Sequence, residues 1–346
     1  MPSEAHQPPS IALVSLSIRD FRGIDSLDLD FLGPDGLPNR LAVIGGPNGC
    51  GKTSVLEAAR IVSSANSSET GAVGKQAIRR GAKDLFIEGI FVASTGTRFE
   101  LRTRVSSSET KASRPDSIQC SYFSSDRSSG FVGGIDVSMN QTQQPRVNPV
   151  PKRLRSLKQR RINPEANRLR NLKQRLINAA AVERFSQTWQ KDPGLYSRWV
   201  NSIASAWNEF DPSRQASFEV GLTDPDGSAN GSFDLYYIQP GQPRLEVDLL
   251  SSGQLELFSF IAELTFNKER EGIVLIDEPE LHLDPQWHRP FIRSLMRLQP
   301  RAQFIVTTLS PDFFDAAYSH ERHFLVPEDD PRARIWKQKN PTVQGA

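Results

Sequence analysis

The segment Gly46-Pro47-Asn48-Gly49-Cys50-Gly51-Lys52-Thr53 fits the pattern G-x-x-x-x-G-K-[ST] without a mismatch. Its chemistry is phosphate binding. Glycines let consecutive backbone N–H groups turn inward around anionic oxygens, and the helix that begins here adds the partial positive charge of its N-terminus. Lys52 is placed to reach the β- and γ-phosphates of a nucleoside triphosphate such as ATP. The Thr53 hydroxyl is a Mg²⁺ ligand, with Ser54 directly behind it. A second cluster, Ile273-Val274-Leu275-Ile276-Asp277-Glu278, is an apolar strand ending in two carboxylates. At the carboxyl edge of a sheet, Asp277 would hold Mg²⁺ through water and Glu278 would be the base that orients an attacking water. A third cluster, Leu250-Ser251-Ser252-Gly253-Gln254, lies about twenty residues before that strand and puts hydroxyls and bare N–H groups at a helix start. Taken alone, it reads equally as a serine N-cap or as a phosphate contact.

Each cluster needs a rigid element behind it, and the apolar pattern predicts one. Residues 41–44 form a short apolar run that leads straight into the glycines, and 53–63 should be the helix that follows. Residues 11–31 largely alternate around the turn-like Asp20-Phe21-Arg22-Gly23 and predict two strands. Residues 86–105 predict an antiparallel hairpin, and 118–123 a strand before the Ser/Gly-rich loop 124–134. Strands are predicted again over 217–222, 233–238 and 245–249. A helix follows Gly253, then come a strand over 273–276, a helix over 285–298 and a strand over 304–308. This order predicts an α/β core with parallel strands.

The middle of the chain differs. Residues 141–151 are polar and Pro-rich, a linker composition, and the sequence then turns basic. Arg153-Leu-Arg-Ser-Leu-Lys-Gln-Arg-Arg-Ile-Asn163 recurs fifteen residues later as Arg168-Leu-Arg-Asn-Leu-Lys-Gln-Arg-Leu-Ile-Asn178, with nine of eleven positions identical. A single pair is too short for a solenoid, so it reads as a local duplication of a helical segment, broken at Asn163-Pro164. The division that results is 1–140 for the first part of the core, 141–212 for a basic helical insertion, and 213–346 for the second part. Residues 146–175 hold eleven Lys/Arg and one acid, Glu165. They form a solvated helical face, a dock for an acidic partner protein, or a surface tracking DNA or RNA phosphates through Arg153, Arg155, Lys158 and Arg160. Aromatics are missing there, which argues against base stacking.

Composition narrows the classes further. No apolar run approaches the ~18 to 20 residues needed to cross a bilayer, so no membrane span is expected. Residues 1–10 carry an acid and prolines and do not read as a secretion signal, which places the protein in the cytoplasm. Two cysteines, Cys50 and Cys120, are too few for a disulfide framework or a zinc cluster. His282 and His288 lack a partner cluster with metal-ligand spacing and read as packing or capping residues. Net charge is +2, so only the local concentration of charge says anything about partners.

The order of these motifs, with Asp277-Glu278-Pro279, Leu281-His282-Leu283-Asp284-Pro285 and Thr307-Thr308, resembles the RecF/SMC/OLD branch of ABC-type P-loop ATPases. The opening Asp20-Phe21-Arg22-Gly23 resembles that branch too. The wording Asp-Glu-Pro-Glu-Leu-His-Leu-Asp-Pro is most similar to OLD-like ATPases of bacterial defence systems, the Septu and PARIS type ATPase subunits. The match is good at both ends of the chain and poor over 106–216. The resemblance implies an α/β head with a mixed sheet core and an antiparallel β subdomain, interrupted by the basic helical insertion. It implies a head-to-tail homodimer joined by ATP, in which Ser251, Ser252, Gly253 and Gln254 of one subunit meet the γ-phosphate held by the other and Asp284 communicates between the sites. Lys52 and Glu278 would carry ATP hydrolysis. Leu309 stands where the branch usually has His, and a side chain without a donor there implies slow turnover. Gln119 and Arg127 are the candidates for the glutamine loop. OLD-type nucleases carry a metal-binding domain after the ATPase, whereas fewer than seventy residues follow Glu278 here. The implied effector nuclease is therefore a separate polypeptide, in anti-phage defence. The alternatives are a RecF-like repair ATPase and, against the basic insertion, a transporter's nucleotide-binding subunit.

Overall fold

The computed structural model describes residues 8–63, 75–106, 110–112, 118–125, 168–185, 194–212, 215–223, 232–267, 272–281, 283–326 and 331. Two compact units make up the chain: residues 1–125 with 267–346, and residues 126–266. The boundary near 266 differs from the sequence division at 212, because the three-stranded sheet and the helix after it group with the basic helix. The linker 141–151, the first copy of the duplication, Arg127 and His282 lie outside the described residues.

The first unit holds two sheets. One is parallel, in the order β13 (Arg322–Phe324), β3 (Leu41–Gly45), β12 (Gln303–Thr308), β11 (Ile273–Asp277), β7 (Cys120–Phe123). Strands β3, β11 and β12 are buried along their whole length, the reason they read as unbroken apolar runs. The other sheet is antiparallel, in the order β2 (Ile24–Asp30), β1 (Ile11–Phe21), β4 (Asp84–Ala93), β5 (Arg98–Ser106), β6 (Thr110–Ala112). Helix α1 (Lys52–Ser63) packs against strands of both sheets and buries Val55, Leu56, Ala58, Ala59, Ile61 and Val62 in one core with Leu16, Ile18, Phe91, Leu275 and Ile305. A buried amide stitches the sheets together. Gln303 Oε1 accepts from Leu13 N–H at 2.8 Å, and its Nε2 donates to the Leu13 and Asn39 carbonyls at 2.9 and 3.0 Å. The stitch falls where the β1–β4 register slips, so the side chain supplies partners that the ladder does not.

The unit 126–266 contains α2 (Arg168–Phe185), α3 (Leu195–Phe210), the antiparallel order β10 (Leu245–Glu246), β9 (Phe233–Ile238), β8 (Ser217–Leu222), and α4 (Ser252–Phe266). The strand expected over 245–249 stops at Glu246 and becomes a 3-10 turn, Val247–Leu249. Val247 and Asp248 are both buried while Leu249 is exposed, and the turn lets Asp248 meet Lys173. The second copy of the duplication is helical, with Leu169, Leu172, Leu176 and Ile177 buried.

After β11 come α5 (Pro285–Leu298) and α6 (Pro311–Asp315) in the first unit. Helix α6 and strand β13 were absent from the sequence reading, being only five and three residues long. Among the described residues no helix is long and apolar enough to cross a membrane.

Candidate functional site

Three strands of the parallel sheet end at the same edge, and the loops after them carry the motifs. β3 runs into residues 46–53, β11 ends on Asp277 and β12 ends on Thr307 and Thr308. Register fixes the match: Asp277 lies opposite Thr307, and Thr307 opposite Ile44. The phosphate loop keeps its shape through glycine at position 51, where φ is +100° and an added Cβ would press on Ile24 at 3.3 Å. That contact comes from the hairpin of β1 and β2. Its turn holds Asp20 and Arg22 with φ near 52° and docks on α1 through an Arg22–Glu57 ion pair of 2.5 Å. The Asp20-Phe21-Arg22-Gly23 motif therefore braces the helix that follows the loop.

Around the loop the polar side chains converge. Lys52 is 4% exposed; its Nζ donates to the Gly46 and Pro47 carbonyls, both at 3.1 Å, and stands 3.6 Å from Glu278 Oε1. Thr53 Oγ1 donates to Asp277 Oδ2 at 2.9 Å. Thr307 Oγ1 donates to Asp277 Oδ1 at 2.5 Å, while Glu278 N–H donates to the Thr307 carbonyl at 3.1 Å. Glu278 sits in the left-handed region at φ 45°, unusual for a residue with a side chain and held here by those bonds from β12. Burial pushes its carboxyl above the ordinary glutamate value, with Asp277 and Glu280 adding to the rise and the Lys52 ammonium opposing it. Two hard oxygen donors, the Thr53 hydroxyl and the Asp277 carboxylate, are thus adjacent, the donor type that suits Mg²⁺. Chemically, the arrangement can neutralise phosphate charge with Lys52, seat a hydrated divalent cation and present a carboxylate of raised basicity.

Ser251, Ser252, Gly253 and Gln254 lie in the other unit, at the N-terminus of the fifteen-residue helix α4. Ser251 N–H donates to Gln254 Oε1 at 3.1 Å and Gln254 N–H to Ser251 Oγ at 3.3 Å, a reciprocal cap. Both serines are exposed. Asp284 caps α5, accepting from Gln286 N–H at 3.0 Å. His288 packs on Phe313 with ring centroids 5.0 Å apart, as a packing residue should.

Gln119 is corrected. It precedes β7, and its carbonyl accepts from Ile273 N–H at the start of β11, so it sits at the amino edge of the sheet, opposite to Asp277. Glu280, to which no sequence motif gives a role, also joins the site: its Oε1 accepts from Thr308 Oγ1 at 2.8 Å, Leu309 N–H at 2.5 Å and Ser310 N–H at 3.0 Å. Its only signal was an acid two places beyond Glu278 in a short turn. Glu280 fixes the backbone of the loop that carries Leu309, so a histidine side chain placed there would start from an ordered main chain. Leu309→His should raise turnover toward, though below, the roughly 100-fold that one well-placed donor contributes, with ATP affinity little changed. Steady-state ATPase assays check this, and an unchanged rate would mean another group already supplies the donor.

In the basic stretch, the cations expected to track phosphates, Arg153, Arg155, Lys158 and Arg160, lie outside the described residues. Within its second copy, Lys173 is fully buried, Arg175 lies over the Phe266 ring at 4.5 Å, and Arg168 lies over Phe260 at 5.8 Å. These three cations serve the packing of their own unit and are not held out to phosphates.

A family model described as "AAA domain, putative AbiEii toxin, Type IV TA system" matches residues 41–315. Over 77 residues the chain is 39% identical to the Septu protein PtuA of Bacillus thuringiensis, covering 22% of this chain and 19% of that one. It is 33% identical over 89 residues to the Retron Vc95 probable ATPase of Vibrio cholerae serotype O1 biovar El Tor, covering 22% of this chain and 17% of the relative. The matched stretch thus spans less than a fifth of either relative. Among solved structures, an SMC head bound to the C-winged helix domain of ScpA aligns over 88% of this chain and 92% of its own, with TM-score 0.56 at 13% identity. The likeness is one of fold.

Proposed function

We propose a function from one premise: the chain belongs to the AAA-domain family described as putative AbiEii toxin, Type IV TA system. It is an ATPase that binds ATP with Mg²⁺ in the 46–53 loop, pairs with a second copy when ATP is bound, and controls a separate effector in anti-phage defence. The observation that carries the reading is the convergence of Lys52, Thr53, Asp277 and Glu278 at one sheet edge, with Thr53 2.9 Å from Asp277 and Lys52 3.6 Å from Glu278. Sequence identity to the Septu and retron proteins favours defence over the RecF-like repair alternative.

In this reading the loop's N–H groups and Lys52 bind and orient the triphosphate. Thr53 and Asp277 would hold Mg²⁺, which would supply the charge that offsets the β- and γ-phosphates. Glu278 accepts a hydrogen bond from the attacking water and aims it. Exposed Ser251 and Ser252, at the positive end of α4, supply the γ-phosphate contacts that join one copy to the other. Because neither copy then holds a full set of contacts alone, ATP turnover per chain should rise with protein concentration until dimers saturate. A dilution series of ATPase activity tests it, and a rate per chain that does not vary with concentration would leave the ATP site standing and remove the dimer.

A further inference from the structure

A buried ionic junction in the unit 126–266 is used by none of the steps above. Lys173 of α2 places its Nζ 2.5 Å from Asp234 Oδ1 on β9 and 2.7 Å from Asp248 Oδ2 in the turn Val247–Leu249. Asp234 Oδ1 also accepts from Leu235 N–H at 2.6 Å. All three side chains are out of solvent, at 0 to 1% exposure. Desolvating three charged groups is costly, and the two carboxylates repel each other unless the ammonium stands between them. A solvated ion pair would hold its partners loosely; this junction holds them only in one arrangement.

What it holds is the base of the serine loop. Asp248 stands three residues before Ser251, and Leu250 N–H closes the turn by donating to the Val247 carbonyl at 3.1 Å. On the upstream side, Leu245 and Glu246 pair with Tyr237 and Tyr236 of β9, the strand that carries Asp234. Helix α2 is seated independently, by Leu169, Leu172, Leu176 and Ile177. Lys173 therefore ties a fixed helix to the strand before the loop and to the turn that launches it.

We infer that Lys173 is a positioning residue for ATP-dependent pairing: through Asp248 and Asp234 it sets where Ser251 and Ser252 stand when they meet a γ-phosphate held by another copy. The inference rests on the proposed dimer. Burial pushes the Asp234 carboxyl above the ordinary aspartate value, and the Lys173 ammonium beside it is the charge that opposes the rise.

The test uses the full chain carrying Glu278→Gln, so that bound ATP persists, and compares it with the same chain carrying Lys173→Met and with a chain carrying Lys173→Met, Asp234→Asn and Asp248→Asn. The second variant removes every charge while keeping shape, so it should fold even if the first does not. Thermal melting reports folding, a fluorescent ATP analogue reports nucleotide affinity, and light scattering reports dimers. Both Lys173 variants should bind nucleotide within about twofold of the parent yet dimerise about tenfold more weakly, with the neutral triple variant regaining its melting temperature but not its pairing. If the triple variant pairs as well as the parent, Lys173 contributes only folding and the inference falls alone. If the Lys173-intact chain forms no ATP-dependent dimer, the proposed function fails beneath it and both are overturned.

Discussion

Lys52→Ala should remove almost all ATP turnover and weaken ATP binding by about two orders of magnitude, since charge-assisted bonds to phosphate contribute roughly 1.5 to 3 kcal/mol each. The side chain is almost fully buried with its ammonium on the loop's own carbonyls, at 3.1 Å from Gly46 O and Pro47 O. It therefore meets a phosphate already desolvated and oriented, where its charge acts through little water. A second consequence follows from Glu278, 3.6 Å away. Burial already pushes that carboxyl up, and Lys52 is the group that pulls it down. Removing the cation leaves Glu278 still harder to ionise, so any residual turnover should need a higher pH than in the parent. Calorimetric titration with ATP and a pH series of residual rate measure the two effects. Binding within twofold of the parent would remove Lys52 from the phosphate contacts.

Much of this site was legible because its information is local. Eight consecutive residues specify the phosphate loop, and an apolar strand ending in Asp277-Glu278 specifies the acidic edge, so neither needed tertiary knowledge. The parallel sheet followed from strand and helix order. Direction within the sheet was not legible at β7: a glutamine beside a strand can stand at either edge, and Gln119 stands at the wrong one. Charge was the least legible property. Lys173 looks in sequence like one more cation in a basic run, and only the approach of Asp234 and Asp248, the latter 75 residues away, turns it into a buried tie. Arg161 of the first copy stands where Leu176 is fully buried in the second. A guanidinium in that apolar seat would be desolvated without a partner, so leucine suits the position and arginine would not.

Glu278→Gln should lower turnover by roughly 10² to 10⁴-fold, the usual contribution of a positioned general base, while leaving ATP bound. The amide has the carboxylate's size, and the bond from the backbone at 278 to the Thr307 carbonyl does not involve the side chain, so the left-handed backbone there should persist. What disappears is the acceptor of the water's proton. In the parent this acceptor is more basic than an exposed glutamate, because burial raises the carboxyl above the ordinary value of 4.5. The sign of the pH effect follows: turnover requires the ionised form, so acidification should inhibit the parent at a pH above that of an exposed glutamate, and the glutamine variant should lose this acid limb. With chemistry blocked and the Lys52 contacts intact, ATP-bound chains should accumulate as dimers, visible by light scattering and dispersed when ATP is removed. A variant that hydrolyses ATP at the parental rate would take the base role from Glu278. One that loses ATP binding with turnover would instead show that this carboxylate holds the phosphate loop together through Lys52.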